Sequence, residues 1–187
     1  MIGRGAVLAV LVLAAAPSVQ APLFAQKPLR AAMLGDPRVG HDAPDFTLPY
    51  LTEAGPGPAD QPFHLRAELG RKVVLVFGGA PGDSLVRATW DYLAGQAESL
   101  FRPGIVVAGV VDGTALETGS LAAGKPPTFK FLPDAQGDVH RQFGVVRSTK
   151  WLTVFVVADD GTVAYRSRGF RVDDPGEMVR LRKALSP

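Results

Sequence analysis

Residues 73–85 read "VVLVFGGAPGDSL". Val73 to Phe77 is a continuous apolar, β-branched run, the pattern of a strand buried on both faces of a sheet. Gly78 to Gly82 break that run. From Ser84 onward Val86, Trp90, Leu93, Ala97 and Leu100 recur at helical spacing, which predicts a helix from Ser84 to Phe101. Asp83 or Ser84 stands where an N-cap belongs, with a side-chain oxygen able to accept from the exposed amides of the first turn. Arg102-Pro103-Gly104 ends the helix.

Downstream, Gly104 to Gly113 predicts a second buried strand, and Ala115 to Ala123 a helical segment interrupted by Gly119. The stretch "KPPTFKFLPDAQGDVHRQFGV" holds a short apolar piece, a turn at Asp134 to Gly137 and a helical turn through Phe143. A hairpin follows, Trp151 to Val157 and Thr162 to Arg168 about Asp160-Gly161. Asp173 to Leu185 reads as a closing helix with Pro175 in its first turn. Upstream, Phe46, Leu48 and Leu51 alternate with polar residues, Thr52 to Pro62 is a glycine- and proline-rich loop, and "FHLRAELGRK" gives a strand-like piece and a helical turn ending at Gly70. The order β, α, β, α, β, β, α after an N-terminal strand region describes a three-layer α/β domain with a mixed sheet.

The 187 residues suit one domain with its own core, and an apolar content of 47% with 20% charged residues is that of a globular chain. Arg4, the apolar run Ala6 to Ala16 and the small-residue site Val19-Gln20-Ala21 predict a signal peptide over 1–21, followed by a linker over 22–38 and the domain over 39–187. The expectation is an exported protein, periplasmic or extracellular. The apolar run is short for a bilayer span, which favours cleavage and leaves no membrane anchor; retained, with Leu23 and Phe24 extending its apolar character, the segment would be an anchor instead. A lipid anchor on cysteine is excluded, because the chain has no cysteine.

The 20 basic residues include Arg4, so removal of 1–21 leaves 19 basic against 18 acidic. That balance gives no support to nucleic-acid binding. His41 lies near Asp42 and Asp45, but no second histidine follows at ligand spacing, and neither a metal nor a cofactor is expected. Asp112 ends a buried strand, where α/β domains often carry functional groups, and a cap on the next helix explains it equally well. Trp90 and Trp151 could line a pocket, but their place in apolar segments makes them core or partly buried residues first.

Four phrases carry a resemblance. "VGHDAPDFTLP" (39–49), "LRAELGRKVVLVF" (65–77), "FLPDAQGDVHRQFGV" (131–145) and "VFVVADDGTVAYRSRG" (154–169) resemble, in order and spacing, the redoxin group of peroxiredoxins and exported thiol–disulfide proteins. The resemblance implies a thioredoxin-like three-layer sandwich, a central mixed sheet and a redoxin-type N-terminal strand extension. It also implies where the chemistry would lie. A Cys-x-x-Cys pair would fall on Gly82 and Leu85, and a peroxidatic cysteine near Val86, preceded by a threonine where this chain has Asp83. "STKWLTVF" lacks the family's cis-proline, and the supporting arginine of peroxiredoxins would fall around Leu152, with Lys150 nearby. A serine at this corner is neither ionised nor able to cycle through a sulfenic acid.

Gly82-Asp83-Ser84-Leu85 also resembles the signature of a serine hydrolase family. That chemistry needs a histidine base and an oriented carboxylate. Those hydrolases add an asparagine-containing oxyanion element and a late Asp-x-x-His pair, and this chain has no asparagine and no such pair among His41, His64 and His140. The expectation is therefore a redoxin scaffold without its redox centre, binding another exported protein or a small ligand through Gly82, Asp83, Ser84, Leu85 and Val86. Two alternatives stand beside it. One is the family's antioxidant or thiol–disulfide oxidoreductase function exercised with a cysteine-bearing partner, and the other is a hydrolase using Ser84.

Overall fold

The computed structural model of the chain describes residues 36–147 and 151–186. The expected signal segment 1–21, most of the expected linker and Lys150 lie outside the described residues. Four two-residue strands come first: β1 (Thr47–Leu48), β2 (Leu51–Thr52), β3 (Gly55–Pro56) and β4 (Phe63–His64). A 3-10 turn, Leu65–Glu68, leads into β5 (Lys72–Gly78). Then follow α1 (Ser84–Gly95), α2 (Ala97–Leu100), β6 (Ile105–Val111), α3 (Ala115–Ala122), β7 (Phe129–Pro133) and α4 (Asp138–Gln142). The hairpin β8 (Leu152–Val157) and β9 (Val163–Phe170) and the helix α5 (Pro175–Leu185) close the chain.

The sheet order is β3-β2-β7-β6-β5-β8-β9. β5, β6 and β7 are parallel; β8 pairs antiparallel with β5 and β9 antiparallel with β8, and at the other edge β2 pairs antiparallel with β7. Alternation along β5 assigns the layers. Val74 and Val76 face a core built with Val86, Trp90 and Leu93 of α1, Leu121 of α3 and Met178, Leu181 and Leu185 of α5. Val73, Leu75 and Phe77 face the other core, which holds Phe46, Phe63 and Leu65 of the N-terminal extension, Val139 of α4 and Phe143 just after it. The mixed-sheet, three-layer expectation holds.

Two expectations change in detail. The short apolar piece after the two prolines is a full strand, β7, paired along β6 from Val107–Phe129 to Val111–Pro133. Its sequence hides this, because Lys130 breaks the apolar run. That lysine is held where Nζ meets the buried carboxylate of Glu68 at 3.0 Å and lies over the rings of Tyr50 and Phe63. The single helix expected from Ser84 to Phe101 is two, because the weak helix former Gly95 is followed by Gln96 at φ −99°, ψ 6°. Residues 36–38, the end of the expected linker, lie on the domain: Asp36 pairs with Arg166 and Arg168 of β9.

β9 and α5 are joined by a part-buried polar contact at the edge of the core. Tyr165 donates to Glu177 Oε2 at 2.5 Å, and Arg180 holds the other carboxylate oxygen. Burial, followed by that hydrogen bond, pushes the Tyr165 phenol up to about 12. The folded value lies above the unfolded one near ~10. Its stabilisation is therefore complete below pH ~10 and lost as pH rises toward the folded value. An ultraviolet titration of the phenols, with Tyr165→Phe as reference, should show one group ionising about two pH units late.

Candidate functional site

The site expected from sequence lies where β5 gives way to α1. Gly78 and Gly79 are buried, Ala80 is exposed, Pro81 is buried and Gly82 is exposed. Pro81 seals one side: a Cβ added at Gly113, just past β6, would lie 3.1 Å from Pro81 Cγ. Val86 and Leu152 close over Gly78, each within 3.7 Å of where its Cβ would stand. The loop is thus packed from both sides, and only its crest reaches solvent.

At the helix start the N-cap is Asp83, whose Oδ1 accepts from the Leu85 amide at 2.8 Å. The five expected residues are contiguous, but their environments differ. Gly82 and Ser84 are exposed, Leu85 is 44% exposed, and Val86 is fully buried in the core against α1's neighbours. An anionic carboxylate occupies the helix N-terminus, the place where the dipole and free amides would stabilise a thiolate.

None of the three histidines makes a hydrogen bond to Ser84 among the described residues. His41 is exposed, His64 Nε2 pairs with Asp45 at 3.0 Å, and both ring nitrogens of His140 are engaged elsewhere. No cluster of metal-ligating side chains occurs among the described residues.

Beneath the loop is a group that sequence reasoning missed. Asp134 begins the turn after β7, and Gly137, at φ +69°, swings the chain back so that α4 places His140 beside it. Asp134 Oδ2 accepts from the His140 amide at 2.9 Å and lies 2.7 Å from its Nδ1. Both side chains are sealed from solvent. Burial pushes the Asp134 carboxyl up, but the hydrogen bonds from the His140 ring and amide, with the ring's charge, outweigh it and hold the group below its ordinary value. A depressed carboxyl stabilises the fold above its unfolded pKa of ~3.9, and the contribution is lost as pH falls through the folded value. Urea unfolding at pH 7 and pH 3 should show this loss, and Asp134→Asn should flatten that part of the profile.

Asp112, at the end of β6, does not cap α3. Thr114 does, in a reciprocal capping box with Glu117, and that pairing with the Thr114 amide and hydroxyl lowers the Glu117 pKa. Asp112 instead accepts from Arg147 Nε at 2.9 Å, and the guanidinium also reaches the carbonyl of Ala135. Trp90 is buried as expected, whereas Trp151 is 49% exposed and lies under the Arg171 guanidinium. Together with Val146, Thr153 and Arg168 it lines a groove of about 330 Å³. Thr153 pairs with Phe77 while Leu152 packs with α1, so by alternation the groove opens on the opposite face of the sheet from α1.

This is a strand, a loop and a capped helix laid out as for a thiol, with no thiol in it. The sequence profile of the AhpC/TSA family matches residues 39–166. The chain belongs to the AhpC/TSA family. Solved structures agree on the thioredoxin-like fold. A Chlorobium tepidum protein assigned as thiol:disulfide interchange protein DsbE is 23% identical, with a TM-score of 0.63 over 81% of this chain and 100% of that one. The reduced 2-Cys peroxiredoxin of Plasmodium vivax is 16% identical, with a TM-score of 0.65 over 79% and 95%. Peroxidoxin BcpB of Mycobacterium tuberculosis is 24% identical, with a TM-score of 0.64 over 79% and 97%. No curated protein sequence matches the chain significantly. At these identities the likeness speaks for the fold alone. Within this AhpC/TSA member, the positions that the resemblance gives to cysteine are a solvent-facing glycine, a half-exposed leucine and a buried valine.

Proposed function

We propose that the chain is an exported, redox-inert member of the AhpC/TSA family that works by binding, through the crest of its former redox loop. One observation carries the reading: the helix start that would activate a thiolate is occupied by Asp83, which takes the Leu85 amide for itself. A carboxylate in that place repels a second anion and cannot accept a peroxide oxygen. The loop is nonetheless kept in shape by Pro81, Val86 and Leu152, and it offers Gly82, the Ser84 hydroxyl and the Leu85 side chain to solvent. Export rests on Arg4, the apolar run Ala6 to Ala16 and the small-residue site ending at Ala21.

The ligand is expected to be another exported protein or a small molecule that meets an apolar side chain and a hydroxyl without needing a positive site. Amide spectra of the labelled protein, titrated with a panel of short apolar peptides, test this. Shifts at Gly82, Ser84 and Leu85 that disappear in Leu85→Asp support the reading. Binding that leaves those three residues unmoved contradicts it.

A further inference from the structure

His140 is fully buried, and each of its ring nitrogens has a polar partner. Nδ1 faces Asp134 Oδ2 at 2.7 Å, and Nε2 faces the carbonyl oxygen of Gly78 at 3.3 Å. The Phe77 ring packs edge-on against the imidazole, 5.3 Å between centroids. A carbonyl oxygen can only accept, and so can an ionised carboxylate. A neutral imidazole has one N–H, and would leave a lone pair against an acceptor in a site closed to water. With Asp134 ionised, both contacts are satisfied only if both nitrogens carry protons, the positive ring then being balanced by that carboxylate.

Gly78 is the last residue of β5: the parallel pairing with β6 reaches it, opposite Val111, while the antiparallel pairing with β8 stops one residue earlier at Phe77–Thr153. His140 Nε2 is the side-chain group that faces its buried carbonyl. Immediately after Gly78 begins the loop that opens α1, in which the Asp83 amide donates to the Ala80 carbonyl.

We propose that His140, protonated on both ring nitrogens and balanced by Asp134, is a buried latch that ties α4 to the last residue of β5 and fixes the loop Gly79–Asp83 from beneath. Arg147, whose charge also interacts with Asp134, is hydrogen-bonded to Asp112. The latch does not depend on what the loop binds, and its failure would leave the binding proposal untouched.

The wild-type protein, labelled with 13C and 15N at neutral pH, decides it. Protons on both His140 nitrogens, with scalar coupling from Nε2 to the Gly78 carbonyl carbon, are expected. A bare Nε2, or a protonated one without that coupling, overturns the proposal. Hydrogen exchange in His140→Leu supplies the second readout: the Asp83 amide should exchange at least about tenfold faster while β9 amides keep their rates. An unchanged Asp83 rate in a folded variant also overturns it. Should His140→Leu fail to fold, the wild-type coupling by itself upholds or overturns the latch.

Discussion

Asp134→Ala is expected to destabilise the protein by about 4 kcal/mol, because removing one partner of a buried charged pair strands the other. The substitution leaves the His140 amide and Nδ1 without an acceptor in a site where both side chains are sealed from solvent. It also strips the first turn of α4 of its only side-chain acceptor among the described residues, since the N-cap there is Gly137. For a domain of ordinary stability this is a large share of the total. The asymmetry of hydrogen bonding gives an internal check. Replacing both partners, in Asp134→Ala with His140→Leu, should cost clearly less than the sum of the two single changes, as urea unfolding of the four proteins would show.

Gly109→Ala is expected to cost about 3 kcal/mol by overpacking the core. Gly109 sits in the middle of β6, and a Cβ there would lie 2.5 Å from Trp90 Cζ2, 2.9 Å from Cη2 and 3.2 Å from Phe131 Cδ1. The indole cannot retreat. It is 1% exposed and crossed by Phe131 at 4.8 Å and Phe129 at 5.9 Å between centroids. Glycine therefore serves here as the floor on which the largest residue of α1 rests. Thermal unfolding should show a drop of several degrees, roughly 4–8 °C per kcal/mol in a small domain and less in one of this size. Trp90→Leu in the same background should restore part of it, which a loss from strand propensity alone would not.

How far the sequence reaches can be followed residue by residue. Val73 to Phe77 and the hairpin about Asp160-Gly161 were legible because their patterns depend on neighbours within a few positions, and both elements form within two residues of where the pattern puts them. β7 was not legible as a strand, because the partner that keeps Lys130 there is Glu68, 62 residues away. The helix cap at Asp83 could be narrowed to two residues, and the observed Leu85 contact chose between them. Asp134 and His140 escaped notice because no spacing rule joins them. What unites them is the left-handed Gly137 and the return of α4 onto β5. An aspartate opening a turn and a histidine on the apolar side of the next helix, next to Val139, is the only trace the sequence holds of it. Trp151, legible as core, partly buried or pocket-lining, is half exposed at the groove because β8 begins one residue later.

On the proposed function, no electrons move at the corner where the resemblance places cysteine. Hydroperoxide consumption by the purified full chain, supplied with a dithiol reductant, tests it most directly. The expected rate equals that of reductant and buffer alone, and Ser84→Ala does not alter it. A rate that scales with the concentration of the chain and falls when Asp83, Ser84 or Leu85 is changed would contradict the account.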